Sequence, residues 1–259
     1  MRFPPLIAIC AILFFAVASA ASGGVAEGEA ALEAGDFPRA ISELTPVAES
    51  GNAAAQSRLG LVYEMSGVSR MRDEARAARY WTSAFTWYSR AAEQNIVRAQ
   101  RRVAELLRVG LGAPVDATKA DEWDRRANAI LRERAENGDA DAQAALATAF
   151  DLGQGVVKDA KEAAKWRRTA ARRGHAVAIN ALGVQYARGN GVEKDPVLAH
   201  ALFAIAGRIA RAKGEDDIAY RQNQDGSGAR LSADQRNKAL AIADQWRTGL
   251  DLPESSDKI

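Results

Sequence analysis

Residues 178–199 read Ala-Ile-Asn-Ala-Leu-Gly-Val-Gln-Tyr-Ala-Arg-Gly-Asn-Gly-Val-Glu-Lys-Asp-Pro-Val-Leu-Ala, and this stretch decides the fold. Ala178, Leu182 and Tyr186 are spaced four residues apart, which places them on one face of a helix. Gly183 lies on the same face, where the absence of a side chain lets a second helix approach closely. The spacing therefore predicts a helix whose apolar face packs against a neighbour.

The second half of the stretch predicts a tight turn and a new helix. Gly189 and Gly191 suit the positive φ that ends a helix and reverses the chain. Asp195 is a good N-cap residue, and Pro196 suits the first helical position, where a missing N–H costs nothing. The stretch therefore predicts an antiparallel pair of helices.

The pattern recurs along the chain, and one copy lies 36 residues earlier. Each copy has an alanine, a leucine or valine four residues later, then a small residue, and three residues further an aromatic residue or leucine. The copies begin at Ala55, Ala99, Ala142 and Ala178. A period of this length predicts a helical solenoid, in which each pair buries its apolar face by stacking on its neighbours.

These spaced positions resemble the Sel1-like repeat family, which is related to tetratricopeptide repeats. The resemblance covers roughly residues 25 to 250 and implies an all-α, right-handed α/α superhelical solenoid that binds other proteins, without catalytic residues or cofactors. It places repeats near 26–51, 52–95, 96–138, 139–174 and 175–210, a capping region at 211–250 with a last helix opened by Ser232 and Gln235, and a disordered tail at 251–259.

Two repeats are longer than the others. Compared with the span from Tyr186 to Phe203, the span from Tyr63 to Trp87 holds seven extra residues, and the repeat that contains Trp123 has a similar excess after that tryptophan. Seven residues make about two helical turns. We therefore expect the second helix to start early in the first case and to end late in the second.

The first twenty residues resemble a secretory signal peptide. Arg2 is followed by the apolar run 6–17 and by Ala18-Ser19-Ala20, an A-x-A cleavage site. The run is too short for an ordinary membrane span, although an uncleaved anchor is the alternative. We expect cleavage after Ala20 and export to the periplasm, or secretion, with no stable membrane insertion afterwards. Cys10 is the only cysteine and lies in the run, so the mature chain forms no disulfide.

Composition argues against several function classes. The 259 residues carry a net charge of +2 with acidic residues mixed throughout, which is not typical of nucleic-acid binding. The two histidines, His175 and His200, lie on different predicted helices, so a metal site would need further ligands on a shared face. The glycine loops repeat with the period, which favours turns over phosphate sites.

One helix face carries an unusual number of arginines. By likeness to tetratricopeptide repeats, Arg98, Arg101, Glu105 and Arg108 are predicted to line the concave side and form a mostly basic stripe. Such a groove could hold an extended peptide that carries an acidic group. The alternative is a solvated helix face without a partner.

Two aromatic residues, Tyr80 and Trp81, break the repeat pattern and belong to the first insertion. They are candidates for an exposed partner contact, and packing of the longer helix against its neighbour is the alternative. In contrast, Trp87, Trp123 and Trp166 recur at one repeat position, which predicts packing between repeats.

These patterns predict an exported, non-enzymatic scaffold that binds a protein or peptide in the cell envelope. One alternative is a hydrolase acting on cell-wall or β-lactam-like substrates, because cysteine-rich members of the family have been linked to β-lactam binding. This chain lacks the cysteines of those members and any recognisable nucleophile motif. A second alternative is a purely structural component of the envelope.

Overall fold

A computed structural model describes residues 24–69, 73–253 and 255–256, and within these ranges the regular structure is helical, with no strand. The chain divides into two compact units, Met1–Ala127 and Asn128–Ile259. The proposed signal peptide, residues 1–20, lies outside the described residues. The helical fold predicted from the repeat pattern is confirmed.

The first unit is a series of antiparallel helices. They are α1 (24–33), α2 (Phe37–Glu49), α3 (Ala53–Ser69), α4 (Glu74–Glu93), α5 (Val97–Val109) and the first half of α6 (Ala117–Glu136). One core lies between α1, α2 and α3 around Leu44 and Leu59. A second core lies between α4, α5 and the start of α6 around Tyr88 and Val103. Each helix pair therefore buries its apolar face against the next, as expected of a repeat protein.

The second unit continues the alternation of helices and turns. It contains the rest of α6, then α7 (Ala140–Leu152), α8 (Ala160–Arg172), α9 (Ala176–Arg188), α10 (Pro196–Ala212), α11 (Ile218–Gly228) and α12 (Ala233–Gln245). Its core gathers side chains from α8, α9, α10 and α12, with Leu182, Tyr186 and Leu202 among them.

The turns follow the local sequence as predicted. The side chain of Asp195 accepts a hydrogen bond from Leu198 N at 2.8 Å, so it caps α10 directly before Pro196. Gly189 ends α9 with a φ of 73°. Gly191 has a second role, because a Cβ there would lie 2.2 Å from the carbonyl oxygen of Ala160. The first glycine of the loop therefore supplies the left-handed conformation, and the second also allows a close backbone approach.

Glutamine side chains connect successive helix pairs, which the sequence analysis did not anticipate. Gln56, Gln100 and Gln143 occupy one repeat position, and each donates from Nε2 to the carbonyl oxygen of the residue eight positions earlier, at 3.0, 3.2 and 2.9 Å. All three are buried. Each bond ties the start of one repeat to the last turns of the previous helix.

The first insertion lengthens both helices of its pair. As predicted, α4 starts early and is 20 residues long, against 13 for α8. Gly67 lies within α3, which continues to Ser69. Gly67 packs against the indole of Trp81, where an added Cβ would lie 3.2 Å from Cε2. This contact supports the longer helix pair.

The register predicted for the second helices is off by one residue. Gly60 faces Tyr88 and Gly183 faces Phe203, so Phe203 corresponds to Tyr88 and not to Trp87. The insertion is therefore one residue longer than the predicted seven. The second insertion agrees with prediction, because α6 also reaches 20 residues and ends late.

The C-terminal region contains the helix α11 and differs from prediction in its tail. Residues 224–228 belong to α11, and Gly228 at its end packs against the ring of His200. The described part of the tail is packed and not disordered, since Leu252 is only 6% exposed and joins the core of the second unit. The capping box of Ser232 and Gln235 at α12 is confirmed.

Candidate partner-binding surface

The predicted stripe lies on α5, opposite the face that anchors the helix. Val103, Ala104 and Leu107 are buried on the inner side. Arg98, Arg101 and Glu105 line a depression of about 330 Å³, in which α3 and α4 supply the other wall. Its remaining lining residues are Leu61, Glu64, Tyr88 and Arg102. The structure therefore brings three of the four predicted stripe residues together.

A carboxylate that the sequence analysis missed organises this depression. Glu64 on α3 accepts two hydrogen bonds from Arg102 on α5, at 2.8 and 2.6 Å, and one from the hydroxyl of Tyr88 on α4 at 2.9 Å. Burial raises the pKa of Tyr88, and the charge of Glu64 raises it further, so the phenol stays a donor. One side chain thus joins three helices.

Arg102 is the second residue that the sequence analysis missed. Besides Glu64 it also binds Glu105 on its own helix. Burial alone would lower its pKa, but the hydrogen bonds to the two glutamates more than offset burial and raise it. Arg102 follows Arg98 by four residues, and that helical spacing was a signal that it faces the same side.

Arg108 does not line this depression and has a structural role. Its guanidinium binds Asp121 at 2.9 Å and also Asp124, both on α6. The side chain of Asp124 is only 3% exposed, and burial raises its pKa in spite of the nearby arginines. Arg108 therefore compensates a buried carboxylate, and the prediction that it faces a partner is corrected.

Arg101 is also less available than predicted. The side chain is half-buried, and burial lowers its pKa, while Asp124 and Glu105 act in the opposite direction. The stripe is thus largely balanced by acidic residues within the unit. Arg98 differs, because it is exposed and has no ion pair among the described residues.

A second depression of about 200 Å³ adjoins the first and shares Leu61 and Arg98 with it. Its floor is apolar, with Ala54 and Ile96 beside Leu61, and Arg58 at its edge pairs with Glu29 at 2.6 Å. We call the two depressions together the α3–α5 groove. It offers an apolar floor around Leu61 and Ile96, with the exposed Arg98 lining both halves.

The two aromatic candidates of the first insertion have different surroundings. Trp81 is 8% exposed and packs on Gly67. The prediction that it makes an exposed partner contact is therefore corrected, and it packs the longer helix against its neighbour. Tyr80 is half-buried and lines a separate cavity with Tyr63. The recurring Trp87 and Trp123 are partly buried against the cores of the first unit, as expected of packing between repeats.

The histidines serve the fold. His175 caps α9, since its Nδ1 accepts from Ala178 N at 3.1 Å, and its Nε2 lies 3.0 Å from Asp141 Oδ1. His200 Nδ1 lies 2.8 Å from the hydroxyl of Ser227. In the described ranges no three histidine, cysteine or acidic side chains converge as a metal would require. The helices of these ranges also include none with the length and apolarity needed to cross a bilayer.

One solved structure agrees with this helical architecture, and a second is similar in sequence. A solved Sel1 repeat protein from Oxalobacter formigenes is 24% identical, with a TM-score of 0.51, and the match covers 85% of this chain and 99% of that one. A protective antigen with an SLR fold, present in uropathogenic Escherichia coli strains, is 27% identical with a TM-score of 0.44. That match covers 80% of this chain, which spans only 48% of the antigen. No curated protein matches significantly.

The family model for the Sel1 repeat matches four successive segments, and these segments are residues 53–96, 97–127, 140–175 and 176–208. Together they account for more than half of the sequence, and each begins at the first residue of a helix, namely α3, α5, α7 and α9. The chain therefore belongs to the Sel1 repeat family.

Proposed function

We propose that this protein is a non-enzymatic scaffold that binds another protein through the α3–α5 groove of its first unit. The observation that carries the proposal is the combination of an apolar floor around Leu61 and Ile96 with the exposed guanidinium of Arg98. Sel1 repeats generally mediate protein–protein interactions. A groove of this kind suits an extended segment with an apolar side chain and, next to it, an acidic one.

The ion pairs around the groove support a binding role. Glu64, Arg102 and Tyr88 hold α3, α4 and α5 in one arrangement through three hydrogen bonds. A surface whose side chains are already ordered loses less conformational entropy when a partner docks. The same pairs leave the carboxylates of the groove engaged with arginines, which supports binding over acid–base chemistry.

The proposed place of action is the cell envelope, after export. The support is the sequence of residues 1–20, with Arg2, the apolar run and the small residues before Ala21. N-terminal sequencing of the protein from fractionated cells tests this directly. We expect a mature chain that begins at Ala21 in the periplasmic or secreted fraction. A chain that begins at Met1, or one found in the cytosol, contradicts it.

The binding proposal is tested by charge reversal in the groove. Mature protein is immobilised and exposed to envelope extract, and captured proteins are quantified by mass spectrometry. Arg98→Glu is compared with Arg188→Glu, an exposed arginine on α9 of the second unit. We expect Arg98→Glu to reduce capture of the specific partner about tenfold, equivalent to 1.4 kcal/mol, and Arg188→Glu to leave it unchanged.

Affinity measurements with the captured partner then show whether it binds in the α3–α5 groove. Its affinity for purified wild-type, Arg98→Glu and Leu61→Glu chains is measured by calorimetry, after circular dichroism has shown that each variant is folded. Loss of affinity in both groove variants supports the proposal. Equal affinity of the wild type and both variants shows that the partner binds elsewhere.

A further inference from the structure

The first insertion builds a second cavity, separate from the α3–α5 groove. It measures about 410 Å³ and lies between α3 and the first turns of α4. Its lining residues are Tyr63, Asp73, Arg76, Arg79, Tyr80 and Ser83. Five of the six come from the N-cap and first three turns of α4, a helix that has 20 residues against the 13 of α8. The cavity is thus a product of the added turns.

Within the described part of the chain, the arginines of this cavity lack the acidic partners that Arg102 and Arg108 have on α5. Arg76 and Arg79 are exposed and stand one turn apart on the same helix face. Neither has an ion pair among the described residues, whereas Arg102 and Arg108 each bind two carboxylates. Asp73 is the N-cap of α4, since its Oδ1 accepts from Arg76 N at 3.0 Å, and its carboxylate offsets one of the two positive charges of the lining. Like charges one turn apart destabilise a helix, so an anion between them would stabilise it.

Two tyrosines form the other side of the cavity. The rings of Tyr63 and Tyr80 have centroids 6.1 Å apart and are tilted by 40°. Both are half-buried. Burial, and to a smaller degree the neighbouring Tyr80, raises the pKa of Tyr63, so its phenol remains protonated at neutral pH. The two tyrosines thus line the same cavity as Arg76 and Arg79.

We infer that this cavity binds a phosphate monoester attached to an aromatic ring. Paired guanidinium forks match the oxygens of a phosphate group. A phosphate monoester carries a charge of about −1.5 to −2 at pH 7, so its attraction to the two guanidinium groups is stronger than that of a carboxylate or sulfate ester with a single charge. The attached ring is placed to stack on the tyrosines, where offset or tilted ring contacts are favourable.

The test uses phenyl phosphate as the probe, with the purified mature chain at constant ionic strength. We expect saturable binding in calorimetry with a Kd of about 0.1–1 mM near pH 7.5. Arg76→Gln combined with Arg79→Gln should weaken binding at least about tenfold. Tyr80→Leu should reduce the affinity to that of inorganic phosphate, because the ring contact is then lost. Phenyl sulfate should bind about tenfold more weakly than phenyl phosphate.

Acidification provides a further readout, because the phosphate group loses its second charge below a pKa of about 6. Phenyl phosphate binding should therefore weaken as the pH falls from about 7.5 to 5. Phenyl sulfate keeps its single charge over this range, so its affinity should not show the same decrease. Arg188→Gln in the second unit serves as the matched control and should bind like the wild type.

Several outcomes overturn the inference. Absence of saturable binding up to about 10 mM phenyl phosphate does so, as does unchanged affinity in the double arginine variant. Equal affinity for phenyl sulfate would reject the phosphate class. The NMR signals of the tyrosine rings in the wild-type protein must also shift when phenyl phosphate is added. This measurement does not depend on whether any variant folds. The result is independent of the partner bound at the α3–α5 groove.

Discussion

One position on the second helix of each repeat carries an aromatic residue in two repeats and a charged residue in two others. The position compared is the one that Tyr88 occupies on the second helix of its repeat, directly after Trp87. In two repeats it holds an aromatic residue, which faces a glycine of the first helix. A Cβ added to Gly60 would lie 2.8 Å from Tyr88 Cδ1, and one added to Gly183 would lie 2.7 Å from Phe203 Cε1. The ring occupies the space that a side chain on the first helix would take.

The two middle repeats place a charge at the same position. Asp124 and Arg167 are both buried there, at 2% and 6% exposure. Each binds the last turn of its own repeat's first helix, where Arg108 contacts Asp124 and Asp151 contacts Arg167. The two ion pairs use the same two positions with opposite polarity.

The comparison shows what each solution requires. An aromatic ring needs a glycine across from it, and Tyr88 in addition donates its hydroxyl to Glu64. A buried charge needs a partner of opposite sign, because an uncompensated charge in the interior is strongly destabilising. The residues at the paired positions are therefore coupled.

The largest effect is expected from Arg108→Glu. It places a third carboxylate beside Asp121 and the buried Asp124, so we expect a loss of about 3–5 kcal/mol in the free energy of unfolding of the first unit. Urea denaturation followed by circular dichroism measures it. Arg108 was predicted to belong to a partner-facing stripe, and its ion pairs to Asp121 and Asp124 give it a structural role instead.

A charge swap serves as the control for this prediction. Arg108→Asp combined with Asp124→Arg reproduces the polarity of Asp151 and Arg167. We expect the double variant to recover most of the stability lost in Arg108→Glu. If the swap is as unstable as the single variant, the two pairs are not equivalent and the comparison fails.

The second effect is overpacking of the contact between a glycine and an aromatic ring. Gly183→Leu inserts a side chain 2.7 Å from Phe203 and 3.3 Å from the carbonyl oxygen of Ala199. We expect a loss of about 2–3 kcal/mol, seen as a lower urea midpoint. Gly226→Leu is the matched control, since that helical glycine on α11 has no atom within 4 Å of an added Cβ. Equal midpoints for the two variants would show that Gly183 is not at a crossing.

The third effect concerns the glutamines that tie repeats together. Gln143→Ala removes the hydrogen bond to Ala135 and leaves a cavity, which should cost about 2 kcal/mol. Gln143→Ile should cost less, about 1 kcal/mol, because the last repeat has the buried Ile179 at this position. Thermal melting of both variants decides the order. If isoleucine is the more destabilising, its side chain does not fit this position, and the equivalence with Ile179 fails.

The smallest effect is a pH dependence of the second unit. Burial lowers the pKa of His200, with the facing Arg236 acting in the same direction and Asp225 and the backbone of Gln224 in the opposite one. A lowered pKa in the folded state gives stability that is present above the ordinary value near 6.5 and is lost as the pH falls.

Thermal melting between about pH 7.5 and pH 5.5 tests this effect. We expect the midpoint of the wild type to fall over that interval, and the fall to be smaller in His200→Gln, which cannot titrate. The variant also loses a ring packed on Gly228, so the slope with pH is compared and not the absolute midpoint. Identical slopes would show that His200 is not responsible.

Much of the fold could be predicted because its signals are local. The capping by Asp36, Asp195 and Ser232 involves atoms within three residues of each cap. The positive φ of Gly189 is likewise a property of one residue in one turn. The burial of Leu182 and Tyr186 follows from helical periodicity. Such features depend on backbone geometry that a short sequence already specifies.

The candidate site was predicted only in outline. The helical spacing correctly placed Arg98, Arg101 and Glu105 in one depression. Glu64 and Arg102 were missed because their hydrogen bond joins residues 38 positions apart. The role of Arg108 was misjudged for the same reason, since its partner Asp124 lies 16 residues away on the next helix. Side-chain charge alone does not reveal whether a partner is near.

The sequence by itself therefore determined the helices, their caps, the turns and the repeat, because each arises from interactions between residues that are neighbours along the chain or one helical turn apart. Only the tertiary structure decided which charges are compensated, that Trp81 is buried on Gly67, and that Leu252 joins the core. These outcomes depend on distances between separate helices, which the packing of whole repeats sets.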